Sequence, residues 1–149
     1  MTPPRIRPIT QADHDQWRAL WRGYLTYYET ELPDSVFDDT FARLLSGDPH
    51  GPFGMVADAD GTLLGLVHYL FHAHTWHPAG ICYLQDLFTT PEARGRGVAR
   101  ALIHAVYDRA DAAGVPRVYW TTQDFNATAR RLYDQVGTLT PFIKYTRPL

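Results

Sequence analysis

The sequence predicts a mixed α/β domain built around a strand–helix–strand unit. Three observations lead there. Residues 81–88, ICYLQDLF, are apolar on both faces, as a strand in the middle of a sheet must be. A glycine–arginine turn follows, then helical periodicity to about Ala113, ended by Gly114 and Pro116, then a second strand-like run, RVYWTTQ. Upstream, FGMVAD and LLGLVHYLF flank Asp60-Gly61, a strong short-range signal of a β-hairpin. No repeat, low-complexity tract or linker interrupts the 149 residues, so one domain spanning 1–149 is expected.

Taken in order, RIRPI (5–9) reads as a short strand, with Pro8 marking an edge or a bulge. Thr10 and Asp13 form a capping pair before a helix. Trp17, Leu20, Trp21, Tyr24, Leu25 and Tyr28 then recur at helical spacing. Trp17, Trp21 and Tyr24 read as core rather than ligand contacts. Pro33 closes that helix, and Asp34 or Ser35 caps the next. Its apolar face carries Val36, Phe37, Phe41, Leu44 and Leu45, with Gly47 near its end. The hairpin, the buried strand, the long helix and the strand at 117–123 follow. Asn126 caps a short helix with Ala129, Leu132, Tyr133 and Val136 on one face. PFIKYTR (141–147) reads as a last strand. The expected order is β–α–α–β–β–β–α–β–α–β.

Composition narrows the function. The chain is 45% hydrophobic and 20% charged, with a net charge of −2, so no global field favours nucleic acid or an anionic membrane. It has no apolar stretch of about 18 residues to span a bilayer. The opening MTPPRIRPIT lacks the apolar run of a secretion signal. The single cysteine, Cys82, excludes an internal disulfide and suits a reducing compartment. A cytoplasmic protein without nucleic-acid or membrane partners is expected.

The turn after the buried strand carries the main chemical signal. Arg94, Arg96 and Arg100 sit where a helix begins, and the positive end of a helix dipole disfavours cations. An anion bound there would offset that repulsion. Unpaired N–H groups would face it, and glycines let a phosphate approach the backbone. The nucleotide-hydrolase pattern GxxxxGK[ST] is absent. A dinucleotide fingerprint fails because Arg100 stands where the third glycine belongs and RVYWTTQ offers no acidic residue. The coenzyme A pyrophosphate pattern Q/R-x-x-G-x-G/A is met at every specified position by Arg94-Gly95-Arg96-Gly97-Val98-Ala99. A solvated arginine-rich turn also accounts for the hexamer alone; its place after a buried strand favours the anion site.

The segments YLQDLFTTPEARGRGVARALI, VYW and NATARRLYDQVG together make the sequence resemble the GNAT superfamily of N-acetyltransferases. The likeness is to its yeast histone/polyamine acetyltransferase branch and to spermidine/spermine acetyltransferases. It is clearest from about Gly65 to Arg147. The resemblance implies acetyl-CoA as cosubstrate, with no metal. The backbone of Leu87, Phe88 and Thr89 would pair with the pantetheine arm, in a gap where the strand splays from its neighbour. The amides of Gly95, Arg96, Gly97, Val98, Ala99 and Arg100 would hold the pyrophosphate. Asn126 and the turn up to Ala129 would contact the arm.

The chemistry so implied is attack of a neutral amine on a thioester. An alkylamine of pKa about 10.4 is neutral in only on the order of one molecule in a thousand at pH 7, so a proton must be removed. The leaving thiolate needs a donor, and Tyr133 matches the family's catalytic tyrosine by position. On periodicity alone, Tyr133 reads equally as core. Gln85 and Asp86 are adjacent in a strand and so are expected on opposite faces. Spermidine/spermine enzymes carry a glutamate where this chain has Gln85, and an amide cannot be a base. Asp86 matches an acidic position in both groups, so the resemblance makes it the candidate base or acceptor anchor, with satisfaction by backbone amides as the structural alternative. Tyr27 and Tyr28, in YLTYYETEL with Glu29 and Glu31, and Trp120 of VYW join Gln85 as candidate acceptor contacts. Aromatic and acidic groups suit a cationic amine.

His68, His72, His74 and His77 cluster in VHYLFHAHTWHPAG, and a regular strand would put the first three on one face. No carboxylate or cysteine joins them at ligand spacing, so a solvated strand-loop, or an acceptor-side rim with Trp76 as an aromatic wall, is expected rather than a metal site. The resemblance implies a small-molecule amine acceptor and a homodimer formed through the late strands. Its alternatives are a protein or histone lysine acceptor, a different acyl donor, and a coenzyme A-binding module without turnover.

Overall fold

The computed structural model describes residues 2–149. Five strands form one sheet in the order β1-β2-β3-β4-β5: β1 Arg5–Pro8, β2 Phe53–Ala59, β3 Thr62–His74, β4 His77–Thr89 and β5 Val118–Tyr119. The first four are antiparallel neighbours, and β5 runs parallel to β4. Four helices cover it: α1 His14–Tyr27, α2 Asp34–Leu44, α3 Val98–Ala112 and α4 Ala127–Val136.

Sheet alternation supplies two cores, one per face. Ile9, Leu63, Leu66 and Val56 pack under Trp17, Trp21, Phe37 and Phe41 of α1 and α2. Val67, Tyr69, Cys82 and Leu84 pack under Leu102, Ile103 and Val106 of α3, with α4 adding Leu132, Tyr133 and Val136 at its margin. The β2–β3 hairpin turns on Asp60 and Gly61, both at positive φ (50° and 93°), as a two-residue turn of this hand requires.

Four expectations need correction. Asp34 is the first residue of α2 and Pro33 occupies the cap, so neither Asp34 nor Ser35 is the N-cap. The β5 ladder has only two residue pairs, Cys82↔Val118 and Tyr83↔Tyr119, although seven residues read as strand. PFIKYTR forms no strand, and Phe142, Ile143 and Tyr145 stand exposed. The fourth correction is a β-bulge in β4. Register passes from Tyr69↔Leu84 to His68↔Asp86 and leaves Gln85 as the extra residue. A one-residue insertion swaps the faces of all that follows. Cys82 and Leu84 face α3, whereas Asp86 bonds to α1 and Phe88 packs in the α1–α2 core. Strict alternation, and with it the expected opposition of Gln85 and Asp86, breaks at that pair.

Candidate active site

The bulge and the short β5 ladder together open the sheet. Beyond Tyr83↔Tyr119 no pair joins β4 to β5, so the β4 edge away from β3 is free from Gln85 to Thr89. A cleft of about 500 Å³ lies there. Tyr24 and Tyr27 of α1 and Tyr28 just past its end wall one side, Leu87, Phe88 and Thr89 form its floor, and Asn126, Thr128, Ala129, Leu132 and Tyr133 wall the other side. Arg94, Gly95, Gly97, Val98, Ala99 and Arg100 close one end.

That end presents unpaired main-chain donors. The first amide turned back into α3 is that of Ala101, which donates to Gly97 O at 3.0 Å. Among the described residues, the amides of Gly95, Gly97, Val98, Ala99 and Arg100 find no acceptor. Gly95 and Gly97 have φ of 78° and 75°, and nothing lies within 4 Å of where their Cβ atoms would be. Glycine is needed there for the left-handed backbone; the protein itself does not crowd the site. No acidic residue occupies the first turn of α3. Arg94 lines the cleft, and Arg100 does so while donating to Gln135 of α4. Arg96 turns away, to a separate cleft of about 350 Å³ beside Arg5 and Asp58. Thr89 Oγ1 is buried without a partner. A free strand edge, a row of free amides and an orphaned hydroxyl along one cleft fit an extended ligand with a diphosphate at one end.

Tyr133 faces the same space and packs edge-on against Trp120, with ring centroids 5.5 Å apart. Burial, reinforced by Tyr28 and Tyr27, pushes its phenol up to about 12. Trp120 does not line the cleft; it sits behind Tyr133, between that ring and Tyr107. Gln85 is exposed and also outside the lining. The Asn126 side chain accepts from Ala129 N–H at 3.3 Å, which starts α4 at the cleft wall.

Asp86 lies next to the cleft rather than on its surface. Its Oδ2 accepts from His68 Nδ1 at 2.8 Å and from Trp21 Nε1 at 3.3 Å. It is thus satisfied by side chains, not by the backbone amides considered from sequence. Tyr24 and Tyr28, which do line the cleft, have phenols raised chiefly by burial and further by the Asp86 charge. Tyr24, read as core from its spacing, is a wall of the site; with Tyr27 and Tyr28 it forms one aromatic face at i, i+3 and i+4. The histidines separate. His68 is buried under α1, His72 bonds to Tyr119 Oη at 2.8 Å, and His74 stacks near His77 at the hairpin tip, where Trp76 is 76% exposed. Among the described residues no three His, Cys, Asp or Glu side chains converge as a metal set.

A sheet split beside a helix N-terminus lined with free amides, with a phenol across the gap, suits an extended ligand that carries a diphosphate. The chain belongs to the acetyltransferase (GNAT) family, which it matches over residues 15–138, and it is an acetyl-transferring enzyme. It is similar to the D-amino-acid N-acetyltransferase HPA3 of Saccharomyces cerevisiae, at 36% identity over 95% of this chain and 89% of that protein. A thialysine N-epsilon-acetyltransferase of Bos taurus is 32% identical over 64% of this chain and 52% of its own length. Among solved structures, the aminoglycoside N-acetyltransferase AAC(6')-Iy, in complex with a bisubstrate analogue, shares the fold. Its TM-score is 0.83, over 97% of each chain at 21% identity.

Proposed function

We propose that this protein, acting as one domain over 1–149, moves acetyl from acetyl-CoA to the primary amine of a small molecule of the amino-acid or polyamine kind. The observation that carries this reading is the set of free amides at Gly95 and from Gly97 to Arg100, at the end of a cleft that runs to Tyr133. Acetyl-CoA supplies a thioester carbonyl for the amine to attack and leaves as the thiol. The amides and Arg94 would hold the pyrophosphate, and the free β4 edge would hold the arm as an added strand. Tyr133, with its phenol at about 12, keeps its proton at neutral pH and offers it to the departing sulfur. Desolvation in the cleft raises the basicity of that thiolate too, so donor and acceptor stay matched. Asp86 would draw in the ammonium and take up its proton, with Tyr24 and Tyr28 as aromatic walls. The names of the relatives, one acting on D-amino acids and one on thialysine, support a small amine acceptor.

The test is release of free thiol from acetyl-CoA across polyamines, amino acids of both hands, aminoglycosides and lysine peptides. Turnover on a small amine is expected. Turnover confined to peptides would overturn the small-molecule reading. We also infer a cytoplasmic setting, on the unpaired and fully buried Cys82, and pairing of two copies through residues 138–149. There Leu139, Phe142, Ile143 and Tyr145 expose apolar side chains. Light scattering should give a dimer for the full chain and a monomer after truncation at Gly137; a full-chain monomer at every concentration removes the pairing.

A further inference from the structure

The buried polar group that the proposed chemistry leaves unused is His68. It is 4% exposed, on β3, under two indoles of α1. Trp17 Nε1 lies 2.9 Å from His68 Nε2, and His68 Nδ1 lies 2.8 Å from Asp86 Oδ2. An indole nitrogen can only donate. His68 Nε2 must therefore accept, which puts the ring proton on Nδ1, where it donates to the carboxylate. Trp17 is fully buried, so no water replaces its N–H. Trp21 Nε1–H adds a second donor to the same oxygen at 3.3 Å. Both donors meet Oδ2, so the carboxylate is held at one oxygen while Oδ1 receives neither bond.

We propose that His68 is a positioning residue, fixed by Trp17, that holds Asp86 beside Tyr24 so that its charge acts on the cation of the amine acceptor. Asp86 influences Tyr24 and Tyr28, two walls of the cleft, which places its charge at the acceptor's end. The arrangement also denies His68 a proton-relay role. A proton passed inward from Asp86 would need an open Nε2, and the Trp17 N–H occupies it. A proton taken from the amine thus stays on Asp86 until it leaves through the cleft. The inference rests on the acetyl-transfer reading for its kinetic consequence, but not for its geometry.

Two measurements test it. Long-range proton–nitrogen correlation spectra of the intact protein should show the His68 proton on Nδ1; a proton on Nε2 overturns the proposal whatever the activity. Kinetics then compare His68→Leu, which loses the bond to Asp86, with His68→Asn, whose amide sits where Nδ1 was and can still donate. His68→Leu should raise the acceptor KM on the order of 10- to 100-fold, as expected for losing a hydrogen bond to a charged group. The acetyl-CoA KM should stay unchanged, and His68→Asn should recover most of the loss. Equal falls in kcat for both variants at unchanged acceptor KM would make His68 a participant in proton transfer and sink the positioning role. Melting curves read alongside identify a variant that is merely unfolded, and the tautomer then decides. If no amine is acetylated by the unaltered enzyme, the activity reading falls, and the spectrum still decides the geometry.

Discussion

The two ends of the cleft are built by different means. The end proposed for the diphosphate is main chain: five free amides within six consecutive residues, with two left-handed glycines among them. The end proposed for the acceptor is side chain: Trp17, Trp21 and Tyr24 of α1 meet His68 of β3 and Asp86 of β4, with sequence separations of 51 and 65 residues across its bonds to the indoles. A backbone site needs only a local conformation and tolerates change in most neighbouring side chains. A side-chain site needs several distant groups at once, so a change in any one of them alters it. Specificity for the acceptor should therefore reside in the second, and cofactor affinity in the first.

The sharpest way to break that division is Tyr133→Phe. Removing the phenolic proton should lower kcat on the order of 100-fold or more, with coenzyme A affinity by calorimetry unchanged. Unchanged turnover would return Tyr133 to a packing role. Asp86→Asn keeps the size and leaves His68 Nδ1 an acceptor, the amide oxygen. It should reduce kcat/KM for the amine by about 10- to 100-fold and leave the KM for acetyl-CoA as it was. A loss falling on acetyl-CoA instead would erase the contrast between the two ends.

Gly97→Val acts on the other end. A β-branched residue at a φ of 75° costs about 1–2 kcal/mol, so thermal stability should drop and coenzyme A should bind about 10-fold more weakly. Acceptor preference across the amine panel should not change. Arg94→Ala is the mildest: an exposed cation beside a diphosphate should cost about 3-fold in affinity and flatten its salt dependence. Equal affinity of the parent protein for coenzyme A and for pantetheine, which lacks the diphosphate, would place the anion elsewhere.

What could be read beforehand follows the same division. The loop was legible because glycines at two fixed positions, flanked by arginines and preceded by a buried strand, are a local statement about backbone conformation. The hairpin, α3 and the Asn126 cap were legible for the same reason. Tyr133 was placed by motif, and its apolar helix face was equally visible. Tyr24 reads as core from its spacing but lines the cleft, since one helical stripe can serve both. The facing of Asp86 was not legible, because a bulge at Gln85 is a property of the pairing with β3 and not of β4 alone. PFIKYTR has strand composition but finds no pairing partner among the described residues.

Residue order alone settled the elements whose causes lie within a turn or two of chain: periodicity, caps, turn glycines and the free amides at the start of α3. Folding settled everything that depends on two strands agreeing on register. Where β4 parts from β5, which face Asp86 takes, and that a tryptophan and a histidine 51 residues apart hold it there are long-range facts. Each depends on contacts that no local stretch encodes, because a single extra residue in a ladder reverses every side chain beyond it.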